Sequence, residues 1–574
     1  MPTIEVNNRQ VEMKPGEMLL QTIRRAGIRV PTLCAIQGME PSGACRICVV
    51  EVENHRGLVP SCCVPATEGM KVKTHSPRAV RARKTVVELL LANHPEDCMY
   101  CPRDGSCQLQ DLAIQLGIRE RRYPGATQNQ RVYDVSSPSL VRDPGKCILC
   151  GKCVRVCEEV QAVSAIDFNG RGCKTVVGPA FGDGLNVSSC INCGQCALIC
   201  PTAAITEQNH VKNVLAALND PHRYVVVQHA PAVSVTLAEV LGLPPGSDAT
   251  GSLNAALRRL GFRRVFDTSF SADLTVMEEA SEFVARIEKG GALPMFTSCS
   301  PGWIKFVEQF YPSFIPHLST CKSPQQMLGA IIKSYFAEYE GVDPRHIYSV
   351  SIMPCTAKKF EARRPEMVDA HFPDIDAVLT TREFLKLIQM FGLDLCNLTP
   401  EDADSPFGQR SSAGKLFGAT GGVMEAALRT AHYLITGQEM ETRELPALRG
   451  PSGIKETKVR IGDRELGVAV VSGLKNARKV LAEIQAGRKD LHFIEVMTCP
   501  GGCVAGGGQT LWADPDAIKA RMKSLYAIDE TSPLRTAHSN PAVRTLYEKF
   551  LGQPLGERSH RYLHTVYQPR NVPL

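Results

Sequence analysis

The sequence predicts a multidomain α+β chain in which small cysteine-bearing domains precede a large α/β domain with parallel sheets. Three observations carry that expectation. Seventeen of the 23 cysteines lie before residue 201, in short-spaced groups. From about residue 210, short apolar runs alternate with amphipathic stretches, the pattern of parallel strands with helices on their faces. The length, 574 residues, exceeds what one core organises.

Composition narrows the class further. Hydrophobic residues make up 44%, ordinary for a globular chain, and no apolar run reaches the length of a membrane span. The N-terminus has neither the basic nor the apolar region of a signal peptide. A net charge of +6 permits an acidic protein partner, but no Lys/Arg-rich arm suggests nucleic acid. Without a leader, clustered cysteines point to thiolate metal ligands rather than disulfides. The expected class is a cytoplasmic iron–sulfur protein.

Residues 1–80 open with a strand over 3–6, an Asn7-Asn8 turn, a second strand from Val11 and an amphipathic helix over 18–26. Cys34, Cys45 and Cys48, a strand over 47–52, then Cys62 and Cys63 follow. The spacing C-x10-C-x2-C-x13-C has a ligand loop plus one distant thiolate, the logic of a [2Fe–2S] site. Cys62 is the expected fourth ligand, although spacing does not separate it from Cys63. This region resembles the [2Fe–2S] domain at the start of complex I large subunits and long iron-only hydrogenases, which implies a β-grasp ferredoxin fold.

In residues 81–125 a helix runs from Thr85 and stops at Asn93-His94-Pro95, where proline ends it. Then His94, Cys98, Cys101 and Cys107 form H-x3-C-x2-C-x5-C. A histidine at ligand spacing before three cysteines suggests a metal site, with zinc as the bland alternative. The neighbouring groups and the same resemblance favour a [4Fe–4S] cluster with one imidazole ligand.

Residues 138–209 hold the plainest signal. Cys147, Cys150, Cys153 and Cys157 form C-x2-C-x2-C-x3-C, and Cys190, Cys193, Cys196 and Cys200 repeat it before Pro201. In this two-[4Fe–4S] ferredoxin pattern the fourth cysteine of each run crosses to the other cluster. The expected sets are Cys147, Cys150, Cys153 and Cys200, and Cys190, Cys193, Cys196 and Cys157. Cys173, between the runs, has no expected role.

Residues 210–574 form the large α/β domain. Strands are expected over 224–227, 264–266, 293–296, 347–353, 376–379, 468–471 and 492–497. Helices fit over 253–260, 277–287, 326–338 and 422–434. Ala230-Pro231, Cys299, Cys355 and Cys499 each follow a predicted strand, and ligands in such folds gather beyond the carboxyl ends of strands. Cys321 and Cys396 have no motif around them and are expected as core thiols.

Three segments share one design, a thiol delivered at a strand tip: Thr297-Ser298-Cys299-Ser300-Pro301-Gly302-Trp303, Met353-Pro354-Cys355-Thr356-Ala357-Lys358-Lys359, and Glu495-Val496-Met497-Thr498-Cys499-Pro500-Gly501-Gly502-Cys503. They resemble the signature motifs of [FeFe]-hydrogenases, in the long form with four accessory clusters. The resemblance implies an H-cluster, a [4Fe–4S] cubane joined by a thiolate to a di-iron unit with CO, cyanide and azadithiolate ligands. It also implies three [4Fe–4S] clusters and one [2Fe–2S] cluster. Cys355, Cys499 and Cys503 match cubane ligands, Cys503 the bridging one. Lys358 matches the lysine that hydrogen-bonds a cyanide. Ala230, Pro231, Gln325, Met353, Phe417 and Met497 match residues around the di-iron site.

One departure matters. The family motif has two adjacent cysteines, the first relaying protons and the second binding the cubane, whereas this chain has Cys299-Ser300. The favoured expectation keeps Cys299 as relay and leaves Ser300 at the ligand position. Alternatives are Cys299 as ligand, or a cubane with an open or water-bound iron.

Glu279, Glu282 and Arg286 share one helical face, which periodicity alone reads as a solvated acidic face with an ordinary ion pair. The resemblance instead matches Glu279, Ser319, Glu282 and Arg286 to the hydrogenase proton path. It implies interconversion of dihydrogen with protons and electrons. The rivals are a low-turnover hydrogen sensor, a hydrogenase-like iron–sulfur assembly protein and a complex I-like electron carrier. Expected partners are ferredoxin, H-cluster maturation proteins and a flavoprotein subunit using NAD(P), since the chain has no dinucleotide fingerprint of its own. Neither nucleic acid nor membrane is an expected partner.

Overall fold

The computed structural model describes residues 2–125, 133–244, 247–369, 372–441, 444–512 and 515–571. At the N-terminus, five strands pair in the order Arg9–Glu12, Thr3–Val6, Lys71–Lys73, Val49–Val52, Val59–Pro60. Thr3–Val6 and Lys71–Lys73 run parallel while the other pairs are antiparallel, and the helix Leu19–Arg25 lays Leu19, Leu20 and Ile23 against Ile4, Val6, Val50 and Val72. A helix crossing a mixed sheet in this way is the β-grasp arrangement.

The next helix, Pro77–Ala92, starts earlier than the sequence suggests. Ser76 caps it through the Ala79 amide at 3.2 Å and Pro77 supplies a preset φ at its first turn. Its basic first turns hide the amphipathic signal because Arg83 points inward, donating to the carbonyls of Val49 at 2.7 Å and Thr74 at 2.6 Å. That buried guanidinium fastens the helix to the first sheet. One apolar cluster then contains Cys34, Cys45, Val87, Cys107, Leu112 and Cys150, so the three cysteine-bearing regions share a core.

The large domain has two four-stranded sheets. In the first, Arg264–Asp267, Tyr224–His229, Ile347–Met353 and Ala377–Thr380 are all parallel. In the second, Met295–Phe296, Phe493–Met497 and Arg464–Ser472 are parallel. Ile454–Ile461, which the sequence reading missed, pairs antiparallel at the edge. Helices cover both sheets, as alternation requires. The helix Thr268–Lys289 begins nine residues before the expected 277, capped by Asp267, whose carboxylate accepts from the Ser269 amide at 2.8 Å. Residues 268–276 are buried on every side, so they carry no amphipathic period to read.

Cys321 is a core thiol, but Cys396 is exposed, contrary to expectation. In the short turn Leu395–Asn397, Leu395 takes the buried side and Asp394 ties down the Cys396 amide at 3.0 Å, which leaves the thiol outward. Cys173 is also exposed, beside the hairpin Asp167–Asn169 and Val176–Gly178.

Candidate metal centre and its wiring

The thiols gather in sets. Cys34 touches Cys45 and Cys62, and Cys62 touches Cys48. Two backbone amides, of Leu33 and Cys45, point at the sulfurs of Cys45 and Cys34 at 3.4 Å, the arrangement that stabilises negative thiolates. Cys63 lies outside this set. Its sulfur sits 3.3 Å from that of Cys62 and leans on Gly43, where a Cβ would come within 2.7 Å of it.

His94, Cys98 and Cys107 line one surface cavity, and burial, with the charge of nearby Cys101 adding to it, raises the pKa of both thiols. This region is pinned to the ferredoxin-like domain: the Gln108 amide donates to Pro201 O at 3.0 Å and buried Arg103 to Ala197 O at 2.6 Å. Cys147, Cys150, Cys153 and Cys200 surround one apolar cavity, and Cys157, Cys190, Cys193 and Cys196 surround a second. Buried Lys152 sits within the field of Cys150 and Cys200 on one side and Cys34 and Cys45 on the other.

In the large domain, Cys355, Cys499 and Cys503 are mutually close, and burial followed by their shared negative charge pushes the Cys499 thiol well above its ordinary value. Cys355 follows the strand Ile347–Met353 and Cys499 the strand Phe493–Met497, so the carboxyl ends of both sheets supply this set. Backbone closes around it. A Cβ on Gly506 would collide with the Pro354 carbonyl oxygen, and one on Gly507 with the Cys193 carbonyl oxygen, so both positions exclude any side chain.

Such crowding of buried thiols is unfavourable as it stands. Burial and mutual charge oppose ionisation, and a cation that takes the place of the protons removes both penalties. Soft sulfur donors in sets of three or four with glycine-lined backbone fit iron–sulfur clusters.

Beside Cys299 lies an apolar wall. Phe417 and Met497 pack with Ala272, Val276 and Val423, and Cys299 leans on that cluster. Ala230 follows the strand Tyr224–His229 and Met353 ends its neighbour, the Ala230 amide donates to Ile352 O at 3.0 Å, and Pro231 starts the helix Pro231–Val240. Gln325 ties these parts together: it accepts from Ser351 Oγ at 2.8 Å, donates to Glu361 Oε2 at 3.1 Å, and its backbone carbonyl accepts from Gln228 at 3.0 Å. Lys358 Nζ lies 2.9 Å from Glu361 Oε2 and 3.2 Å from Cys299 O. The Ser300 hydroxyl lies 2.8 Å from Oγ1 of Thr498, the neighbour of Cys499.

The acidic face of the helix Thr268–Lys289 is buried, which overturns the solvated reading: Glu279 is 0% exposed and Glu282 8%. Neither Glu279 oxygen makes a hydrogen bond within 3.5 Å among the described residues. Burial, reinforced by the charge of Glu282, pushes its carboxyl up to about 8, even though the Ser298 amide and Ser319 hydroxyl stand near enough to oppose the rise. Ser319 Oγ donates to Glu282 Oε2 at 2.9 Å, and Arg286 pairs with Glu282 Oε1 at 2.7 Å. Burial, then the charges of Glu279 and Cys503, hold the Cys299 thiol well above its usual range.

Two features escaped the sequence reading. Gln195, inside the second ferredoxin run, donates to Cys499 Sγ at 3.2 Å and to Ala505 O at 3.0 Å, and no spacing rule marks it. Glu495, in the middle of an apolar strand, accepts from the Gly421 amide at 2.6 Å and the Met424 amide at 2.8 Å, an anion at the N-terminus of the helix Gly422–Thr436. A lone charge in a buried strand was the available signal.

Comparison with known proteins agrees along the whole chain. Residues 223–507 match the family "Iron only hydrogenase large subunit, C-terminal domain" and residues 515–570 "Iron hydrogenase small subunit". Residues 1–77 match a 2Fe-2S iron–sulfur cluster binding domain, 83–122 the NADH-ubiquinone oxidoreductase-G iron–sulfur binding region, and 146–204 a 4Fe-4S dicluster domain. The NADP-reducing hydrogenase subunit HndD of Solidesulfovibrio fructosivorans is 47% identical over 99% of both chains.

The chain belongs to the iron-only hydrogenases.

Iron hydrogenase 1 of Clostridium pasteurianum is 39% identical over 99% of this chain and 100% of its own. A solved variant of the [FeFe]-hydrogenase HydA1 of Chlamydomonas reinhardtii superposes with a TM-score of 0.57 at 43% identity, covering 63% of this chain and 99% of that one. This [FeFe]-hydrogenase therefore interconverts dihydrogen with protons and electrons and relays the electrons through [2Fe–2S] and [4Fe–4S] clusters. Among the described residues no helix is long and apolar enough to cross a membrane.

Proposed function

We propose that Cys355, Cys499 and Cys503 hold the cubane of the H-cluster, with Cys503 bridging to the di-iron unit, and that Cys299 is the proton relay while Ser300 stands at the fourth cubane position. The observation that carries this reading is the meeting of three thiols at the ends of two sheets, with Cys299 lying within the fields of both Cys503 and Glu279. When bound, the H-cluster supplies the iron at which dihydrogen is made or cleaved.

The chain's own residues do the rest. Phe417, Met497 and Met353 exclude water, while Ala230, Pro231 and Gln325 shape the opposite wall. Lys358, steadied by Glu361, offers a charged donor to an anionic ligand. Cys299 passes a proton to Glu279, whose pKa of about 8 suits both acceptance and release near neutrality. Ser319 then carries it to Glu282, and Arg286 orients that carboxylate.

The accessory ligand sets follow from the same logic: Cys34, Cys45, Cys48 and Cys62 for one [2Fe–2S] cluster, His94, Cys98, Cys101 and Cys107 for a [4Fe–4S] cluster, and the two crossed sets for two more. The chain then acts as the hydrogen-activating subunit of a complex whose other subunits carry NAD(P) and flavin. The name of its relative from Solidesulfovibrio fructosivorans supports that role. Purified, matured protein assayed for hydrogen evolution with a reduced dye, together with an iron count, tests the proposal. Turnover that survives replacement of Cys503 by alanine would contradict it.

A further inference from the structure

Arg286 closes one end of the Glu279–Ser319–Glu282 run. Besides Glu282, its guanidinium is held by the carbonyls of Ala292 at 3.1 Å, Pro316 at 3.2 Å, His317 at 3.3 Å and Leu318 at 2.7 Å. A guanidinium does not release a proton in the working pH range, so Arg286 fixes Glu282 without passing protons onward.

The other Glu282 oxygen opens onto a second set of groups. Oε2 accepts from the Thr320 amide at 3.0 Å and lies 3.4 Å from Thr320 Oγ1. That hydroxyl is 2.8 Å from His564 Nδ1, and His564 Nε2 is 3.0 Å from Glu278 Oε2. Glu278 is itself held by the Tyr547 hydroxyl at 2.5 Å, Ser559 Oγ at 2.6 Å and the Leu555 amide at 2.8 Å. The exposed His560 ring lies 4.3 Å from the His564 ring, centroid to centroid. A His564 ring nitrogen, a Glu282 oxygen and Cys321 Sγ all lie within 4.8 Å of one another. With both ring nitrogens partnered, the imidazole is set to move a proton rather than to bind a metal ion.

We infer that His564, with Thr320 and Glu278, forms a proton branch joining Glu282 to the surface at His560. The inference rests on the proposed Glu279–Ser319–Glu282 path. In the transfer, protonated His564 gives its Nδ1 proton to the Thr320 oxygen while the Thr320 hydroxyl proton passes to Glu282 Oε2. The N–H and O–H bonds that break are replaced one for one, imidazolium and carboxylate become neutral together, and net charge is unchanged. The groups facing His564 are Glu278 and Glu282 from the helix Thr268–Lys289, Cys321 from the loop after Ser319, and His560 and Tyr547 from the C-terminal segment. Arg286 and Glu279 stand behind Glu282. Burial would raise the Glu278 carboxyl, but the His564 hydrogen bond and charge, with Ser559 and Tyr547, hold it below its ordinary value. His564 acts through Glu282 and is in that sense a positioning residue.

The test compares matured His564→Gln, His560→Gln and Glu282→Gln proteins with the parent for hydrogen evolution against pH, solvent isotope effect and rescue by added imidazole. It adds an infrared pH titration of the carboxyl band that disappears in Glu278→Gln. His564→Gln is expected to lower turnover about tenfold, short of the full loss of a general acid, to erase one limb of the pH profile and to recover with imidazole. The Glu278 band is expected to titrate at higher pH once His564 is gone. An unchanged pH profile, isotope effect or Glu278 midpoint in His564→Gln would overturn the branch, as would lost turnover without imidazole rescue. If Glu282→Gln abolishes turnover under those outcomes, the underlying path stands alone. If Glu282→Gln leaves turnover unchanged, path and branch both fail.

Discussion

The side-chain amide of Gln195 donates a hydrogen bond to Cys499 Sγ at 3.2 Å, linking the second ferredoxin run to the large domain. On the same contact Gly507 packs against the Cys193 carbonyl, and the charge of Cys499 reaches Cys193. The two domains are therefore close-packed here, through one side-chain hydrogen bond and one glycine against backbone.

Removing the Gln195 donor takes away a bond that favours the more negative, reduced state of a thiolate-ligated cluster. If that preference is worth about 1 kcal/mol, Gln195→Leu lowers the one-electron potential by about 40 mV. A redox titration followed by electron paramagnetic resonance checks the sign and size.

The relay and ligand roles of residues 299 and 300 separate by mutation. Cys299 leans on Phe417 and Met497, whereas the Ser300 hydroxyl faces Thr498. Cys299→Ala is expected to lower hydrogen evolution by about 10²-fold or more with its iron content intact. Iron loss in Cys299→Ala would make Cys299 a cubane ligand instead.

The pH dependence follows from Glu279, whose pKa rises from its ordinary 4.5 to about 8. Proton delivery for hydrogen evolution uses the protonated acid, so evolution falls as pH rises through about 8, and hydrogen oxidation gains over the same interval. In stability the sign is likewise set by the raised value. The parent is favoured below 4.5 and loses that advantage progressively up to about 8, so Glu279→Gln gains relative stability across that interval. Activity profiles and thermal unfolding of the two proteins measure both effects.

Cys62 and Cys63 differ in their surroundings, since only Cys62 touches Cys34 and Cys48. Cys63→Ser is expected to keep the [2Fe–2S] signal and hydrogen evolution, and Cys62→Ser to lose the signal. Paramagnetic resonance of the reduced proteins decides it.

Much of this site was legible in the sequence because ligand spacing is local chemistry. Closely spaced thiols come from one short stretch of chain, and that leaves the repeated C-x2-C-x2-C-x3-C in plain view. Strands bounded by polar residues were also readable, and Ile347–Met353 coincides with expectation. What stayed hidden is what burial conceals. The first nine residues of the helix Thr268–Lys289 lack an exposed face, the inward Arg83 disguised a helix start, and Cys396 turned outward through local capping by Asp394. The Gln195–Cys499 bond joins residues 304 positions apart, and no one-dimensional pattern records it.

The most direct measurement is the infrared spectrum of the matured protein. Bands from CO and cyanide bound to iron, lost when Cys503 is replaced by alanine, are the result predicted for an H-cluster built on Cys355, Cys499 and Cys503. A fully iron-loaded protein without such bands would contradict that account of the pocket.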